Sequence, residues 1–140
     1  MKNIYFYFLY FFGLVSIFLP AYENFWIASG IGQHITGKEK VSFLEQIIQT
    51  TNVTRFRLQE ILSLILEVII LISILISIFL YWNNKLNMLF FLVIISLICL
   101  IINLINYNEM VLYGYYLLIF QQATLLILVI YTLKQKNKFI

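Results

Sequence analysis

Apolar positions in this chain come in long unbroken runs separated by short polar breaks, without the regular alternation of a half-buried strand. Crossing roughly 30 Å of hydrocarbon takes about 20 helical residues. Four runs answer to that length, at about residues 4–22, 61–82, 86–105 and 111–133. The first is the shortest. Its apolar part ends at Leu19, and the run follows the basic start Met1-Lys2-Asn3 in the manner of a signal peptide. Leu19 would occupy the −3 place for cleavage after Ala21, where a small residue is required, so the run is read as a retained span carried through Tyr22.

The pattern changes between the first and second runs. Tyr22 to Gly37 contains Trp26, Gly30, Gly32 and Gly37, and reads as a turn-rich segment near the headgroups with aromatic anchors. Ser42-Phe43-Leu44-Glu45 then matches a capping box, in which serine and glutamate side chains satisfy each other's backbone N–H groups. With Val41, Leu44, Ile47 and Ile48 on one face, a short amphipathic helix is predicted over about 42–50. Beyond Thr51-Asn52 the second span is predicted to begin early, as one helix from about 53 to 83. The fold class expected is all-α: one membrane domain over 1–140, a bundle of four transmembrane helices, and an extracytoplasmic cap at 20–60.

Composition agrees with a lipid environment, at 63% hydrophobic residues, 18% aromatic and only 11% charged. Residues of AT-rich codons dominate, so an isolated Asn or Lys carries little weight. A single cysteine (Cys99), a single histidine (His34) and no aspartate exclude an internal disulfide, a thiolate metal cluster and Ser-His-Asp chemistry. No cofactor is expected, and no catalytic constellation is present in the sequence.

A net charge of +3 is modest, and in so apolar a chain it reads as membrane orientation, with no nucleic-acid partner implied. Lys2, Lys85, Lys134, Lys136 and Lys138 cluster in short segments on one side of the four runs. Lys38, Lys40, Arg55 and Arg57 are spread over the longer 20–60 segment on the other. The denser side is assigned to the cytoplasm, which places both termini inside a cell (inner) membrane. The tail lysines anchor the fourth span against anionic lipid.

One ionisable residue falls inside a span: Glu67, about six residues into the second. Such a group is expensive in lipid, at least about 2.5 kcal/mol at the bilayer centre, and faces protein or water. Glu60, Ser63, Glu67, Ile70, Ile74, Ser77 and Tyr81 follow a three-and-four spacing and form one helix face. Ser96, Cys99, Asn103 and Asn106 make a similar stripe in the third span, and Gln121, Gln122 and Thr124 are polar in the fourth. The candidate intramembrane cluster is Glu67, Ser63, Ser77, Asn103, Asn106, Gln121 and Gln122. Trp26, His34, Arg55 and Arg57 are the candidate recognition surface of the cap.

Three functions follow. The first is a non-enzymatic membrane subunit that associates, as a homo-oligomer or with other membrane subunits, using the cap as recognition surface and the Glu67 stripe as helix contact. The second is a proton- or cation-conducting pore or carrier built on Glu67, which requires water beside that residue and a route to the inner face. The third is an immunity-type protein that binds a pore-forming toxin in the membrane.

Overall fold

The computed structural model describes residues 4–30, 33–51, 58–106 and 111–137, with side chains at all of these except 25–36, 58–60 and 137. The elements are α1 (Ile4–Phe18), β1 (Pro20–Gly30), β2 (Gln33–Ser42), α2 (Phe43–Thr51), α3 (Leu58–Trp82), α4 (Leu86–Asn106) and α5 (Tyr113–Asn137). Within α3, α4 and α5, three stretches are long and apolar enough to cross a membrane: Ile61–Trp82, Leu86–Asn106 and Tyr113–Lys136. Apolar α1 is shorter, with 15 residues. The chain is a multi-span membrane protein. Its outward face is apolar, with Phe8, Phe79, Phe91, Phe120 and Ile127 each more than 60% exposed. On a membrane protein such a face meets lipid.

The first apolar helix does not run on to Tyr22 as expected. Proline disfavours helix in the residue before it and brings no N–H of its own. The helix accordingly ends at Phe18, Leu19 N–H closes a tight last turn on Ser16 O at 3.3 Å, and Pro20 opens a strand.

The all-α expectation also fails between residues 20 and 42. The turn-rich reading of Tyr22 to Gly37 gives way to an antiparallel hairpin in which Tyr22 pairs with Val41, Trp26 with Gly37 and Gly30 with Gln33. Tyr22, Phe25, Trp26 and Ile27 on one strand and Ile35, Thr36 and Val41 on the other are strong strand formers. Gly30 sits at the reversal and Gly37 opposes a tryptophan. At the hairpin base Tyr22 and Val41 are buried, whereas Lys38, Glu39 and Lys40 are exposed. The cross-strand ion pair from Lys38 Nζ to Glu23 Oε2 at 3.1 Å lies in the exposed part and contributes little to stability.

The capping box forms as read, one residue later than the predicted helix start. Ser42 N–H donates to Glu45 Oε2 at 2.8 Å, and Glu45 N–H donates to Ser42 Oγ at 3.2 Å. Phe43 and Ile47 form the buried face of α2, whereas Ile48, expected on that face, is 51% exposed. Asn24 Nδ2 donates to Gln46 Oε1 at 2.9 Å and to Gln49 Oε1 at 3.0 Å, which ties the hairpin to α2.

The backbone and side-chain bonds from Ser42 hold the Glu45 carboxyl below its ordinary value of 4.5. A depressed folded-state value means that the box stabilises the helix fully above about 4.5 and stops doing so as pH falls through the lower folded value. In an NMR titration Glu45 is expected to show a midpoint below 4.5, with the Ser42 amide resonance following it. A Ser42→Ala variant should move that midpoint back up; a wild-type midpoint at or above 4.5 would contradict the box.

Two buried cores lie along the bundle. Beneath the hairpin, Ile17, Ala21, Tyr22, Val41, Phe43, Ile47, Ile70, Ile74, Leu100, Tyr115 and Leu118 pack together. At the opposite end Phe6, Leu80, Tyr81, Leu86, Leu89, Val93, Leu125 and Val129 form the second, with Phe6 stacked on Tyr81 at 3.7 Å between ring centroids. The α3–α4 reversal closes this second end. Asn84 has φ 55°, and the bonds Lys85 N–H to Leu80 O (2.9 Å) and Asn84 N–H to Tyr81 O (3.1 Å) make a Schellman stop.

The helix predicted from about 53 is described from Leu58 onward; residues 52–57, with Arg55 and Arg57, lie outside the described residues.

Candidate functional site

The three-and-four stripe of α3 faces inward. Ser63, Glu67, Ile70, Ile74, Ser77 and Tyr81 are all buried, and Glu67 is 1% exposed. The physical reason is the one that makes an acid costly in lipid, since a helix rotates to put its polar face against protein. The side chain of Glu60, at the start of that stripe, lies outside those described.

Glu67 does not meet the amides and serines of the other stripes directly. Its carboxyl faces the Tyr22 hydroxyl from the hairpin base, which also faces the Tyr115 hydroxyl of α5. Tyr115 in turn stands beside the Asn103 side chain and near Cys99, both on α4, and its hydroxyl donates to Leu100 O at 2.9 Å. Four elements thus converge on one polar point: β1, α3, α4 and α5. Aromatic rings frame it, with Tyr22 edge-on to Tyr115 at 5.4 Å, Tyr22 stacked against Phe43 at 6.3 Å and Phe43 tilted against Tyr115 at 6.2 Å.

Satisfaction at this point is incomplete. Although Tyr22 faces Glu67, neither carboxyl oxygen of Glu67 has a hydrogen bond of standard geometry among the described residues, and neither polar atom of Asn103 has one. Buried polar groups left so carry a penalty of about 1–3 kcal/mol each. The arrangement offers one carboxyl, two phenols and one carboxamide, all buried. Such a set suits holding a proton or accepting hydrogen bonds. Among the described residues no group of three or more His, Cys, Asp or Glu is placed to hold a metal ion.

The other candidates fall elsewhere. Ser77 lies ten residues beyond Glu67, about 15 Å along the helix, and its hydroxyl donates to Ile74 O of its own helix at 2.7 Å. Ser63 is buried one turn before Glu67. Asn106 is exposed at the end of α4, so the stripe reading stops at Asn103, and the expectation that Asn106 joins the cluster is corrected. Gln121 is buried but serves the α1–α5 contact: its Nε2 donates to Leu9 O at 3.2 Å, and it occupies the space over Gly13. Gln122 is buried on the same helix. Ser96 is also buried, with no partner for its hydroxyl among the described residues.

In the cap, Trp26 and His34 take their places in the hairpin, opposite Gly37 and Ser29. Their side chains lie outside those described, as do Arg55 and Arg57 altogether.

Sequence reasoning missed Tyr22 and Tyr115. For Tyr115 a signal existed: Tyr115, Leu118, Gln122, Leu125 and Val129 repeat the three-and-four spacing and are all buried. For Tyr22 none did, because its place depends on pairing with Val41 across the hairpin.

Comparison of the chain with protein-family models, with curated proteins and with solved structures gave no match.

Proposed function

We propose that the chain is a small non-enzymatic membrane subunit that acts by association, as a homo-oligomer or within a larger membrane complex. The observation that carries this reading is the placement of the polar point between two seals. Toward the hairpin it is roofed by Tyr22, Phe43 and the rest of the upper core. Toward the opposite end Phe6, Tyr81, Leu89, Val93, Leu125 and Val129 fill the bundle with buried apolar side chains. Among the described residues of a lone copy, buried apolar layers therefore lie on both sides of Glu67. What it does present is a hairpin whose Lys38, Glu39 and Lys40 stand exposed beyond the core, a surface suited to recognition. In this reading α1 is the fourth span, about 22 Å long at 1.5 Å per residue, and the membrane thins or bends slightly around it. The lysine-bearing end, with both termini, faces the cytoplasm of a cell membrane.

A second reading, a proton or cation path built on Glu67, has one observation in its favour. The unsatisfied oxygens of Glu67 are a penalty that packing alone does not repay.

Mass measurement in mild detergent by light scattering, paired with proton flux in liposomes, separates the two. Association predicts a defined oligomer or a co-purifying subunit, no flux, and the same mass for Glu67→Gln, because that residue is buried within one copy. Flux through the purified protein that disappears in Glu67→Gln would overturn the proposal in favour of conduction. A bare monomer without flux would also overturn it.

A further inference from the structure

At the end of the bundle opposite the hairpin, the α3–α4 reversal and the last turns of α5 enclose a cleft of about 490 Å³. Its polar lining is Asn84, Lys85, Asn87 and Lys136, and its apolar lining is Leu86, Met88 and Leu133. We propose that this cleft binds the headgroup of an anionic phospholipid, with the phosphodiester between Lys85 and Lys136.

Depth is the first argument. The apolar stretch of α3 stops at Trp82, and that of α5 gives way to Lys134 and Lys136, so the cleft opens where hydrocarbon meets headgroups. A lipid enters it from its own layer. Of the apolar lining Leu86 is buried, Leu133 is half-buried and Met88 is exposed, which gives apolar surface for glycerol and the upper acyl chains.

Charge is the second. Lys85 and Lys136 are exposed, and among the described residues neither has a salt bridge. Among the described side chains the acids lie toward the other end: Glu23, Glu39 and Glu45 are in the hairpin and α2, and Glu67 is in the hairpin half of α3. Among the described residues the lysines of the cleft therefore have no counter-charge there, and an anion in the headgroup layer supplies it.

Shape is the third. The left-handed Asn84 makes the reversal tight enough to set Lys85 against the start of α4, on the same rim as the Asn87 amide. Lysine supplies point charge and the carboxamides supply directed donors, a combination fitted to phosphate oxygens. A zwitterionic headgroup brings an ammonium that these lysines repel.

The test uses the full chain in neutral detergent, with thermal unfolding followed as phosphatidylglycerol is titrated in, and bound lipid counted by native mass spectrometry. Wild type is expected to show a saturable rise in Tm and one retained lipid. Lys85→Gln/Lys136→Gln should weaken the apparent affinity by roughly 10- to 30-fold, given what each lysine contributes near an anionic surface. Lys134→Gln, at the same end but outside the cleft, should weaken it by less than about 2-fold. Both cleft lysines are exposed, so the double variant should unfold as wild type does without lipid. An equal loss in Lys134→Gln would mean diffuse attraction and overturn the site. Equal stabilisation by phosphatidylcholine, or by inorganic phosphate or glycerol 3-phosphate alone, would overturn the lipid assignment.

Discussion

Phe6→Ala is expected to lower stability by about 2–3 kcal/mol, from a cavity term of about 24 cal/mol per Å³ over roughly 100 Å³ vacated. Phe6 is fully buried, stacked at 10° on Tyr81, and meets Tyr7 edge-on at 6.1 Å. In a soluble protein the loss would be larger, because the benzyl group also escapes water on folding. Between lipid and a bundle interior that transfer contribution is nearly absent, since acyl chains are as apolar as side chains, and packing alone remains. The control is Phe8→Ala, two positions along the same helix and 67% exposed, which should change stability by less than about 0.5 kcal/mol. Denaturant unfolding in detergent micelles measures both. Equal, small effects would show that the second core is not packed around Phe6, and the seal on the Glu67 point would lose its basis.

The joint between the hairpin and α5 should be the least forgiving place in the backbone. A Cβ on Gly114 would lie 2.5 Å from Pro20 O and 2.9 Å from Leu19 O, both main-chain atoms that cannot swing aside. Gly114→Ala is therefore expected to cost about 1–3 kcal/mol, the range for overpacking. It should also loosen the hairpin base, where Leu112 N–H donates to Ala21 O at 2.8 Å and Tyr22 bridges to Val111. Protease sensitivity of the hairpin should rise with it. Gly13→Ala supplies the contrast: its Cβ would lie 2.8 Å from Gln121 Nε2, the far end of a flexible side chain. Gln121 can turn away at the loss of its bond to Leu9 O, at a cost of about 1 kcal/mol. Greater damage from Gly13→Ala than from Gly114→Ala would contradict the close approach of α5 to the hairpin base.

What the chain determined by itself was whatever is written locally and at a fixed period. Long apolar runs set α3, α4 and α5, because a backbone in hydrocarbon must satisfy its own hydrogen bonds and a helix does so within one segment. Ser42 and Glu45, three residues apart, set the start of α2. The spacing from Ser63 to Tyr81 set the inward face of α3, and the cost of a carboxyl in lipid placed Glu67 there. The tertiary structure alone decided what lies opposite each of these. The hairpin is an agreement between residues far apart in the chain, Tyr22 with Val41 and Gly30 with Gln33, and glycines that look like turns in isolation serve equally at a reversal or opposite a tryptophan. The partners of Glu67 were hidden for a related reason. Where lipid and protein interior are equally apolar, an aromatic residue carries no mark of which one it faces, so Tyr22 and Tyr115 became recognisable only when packing brought their hydroxyls to the buried Glu67.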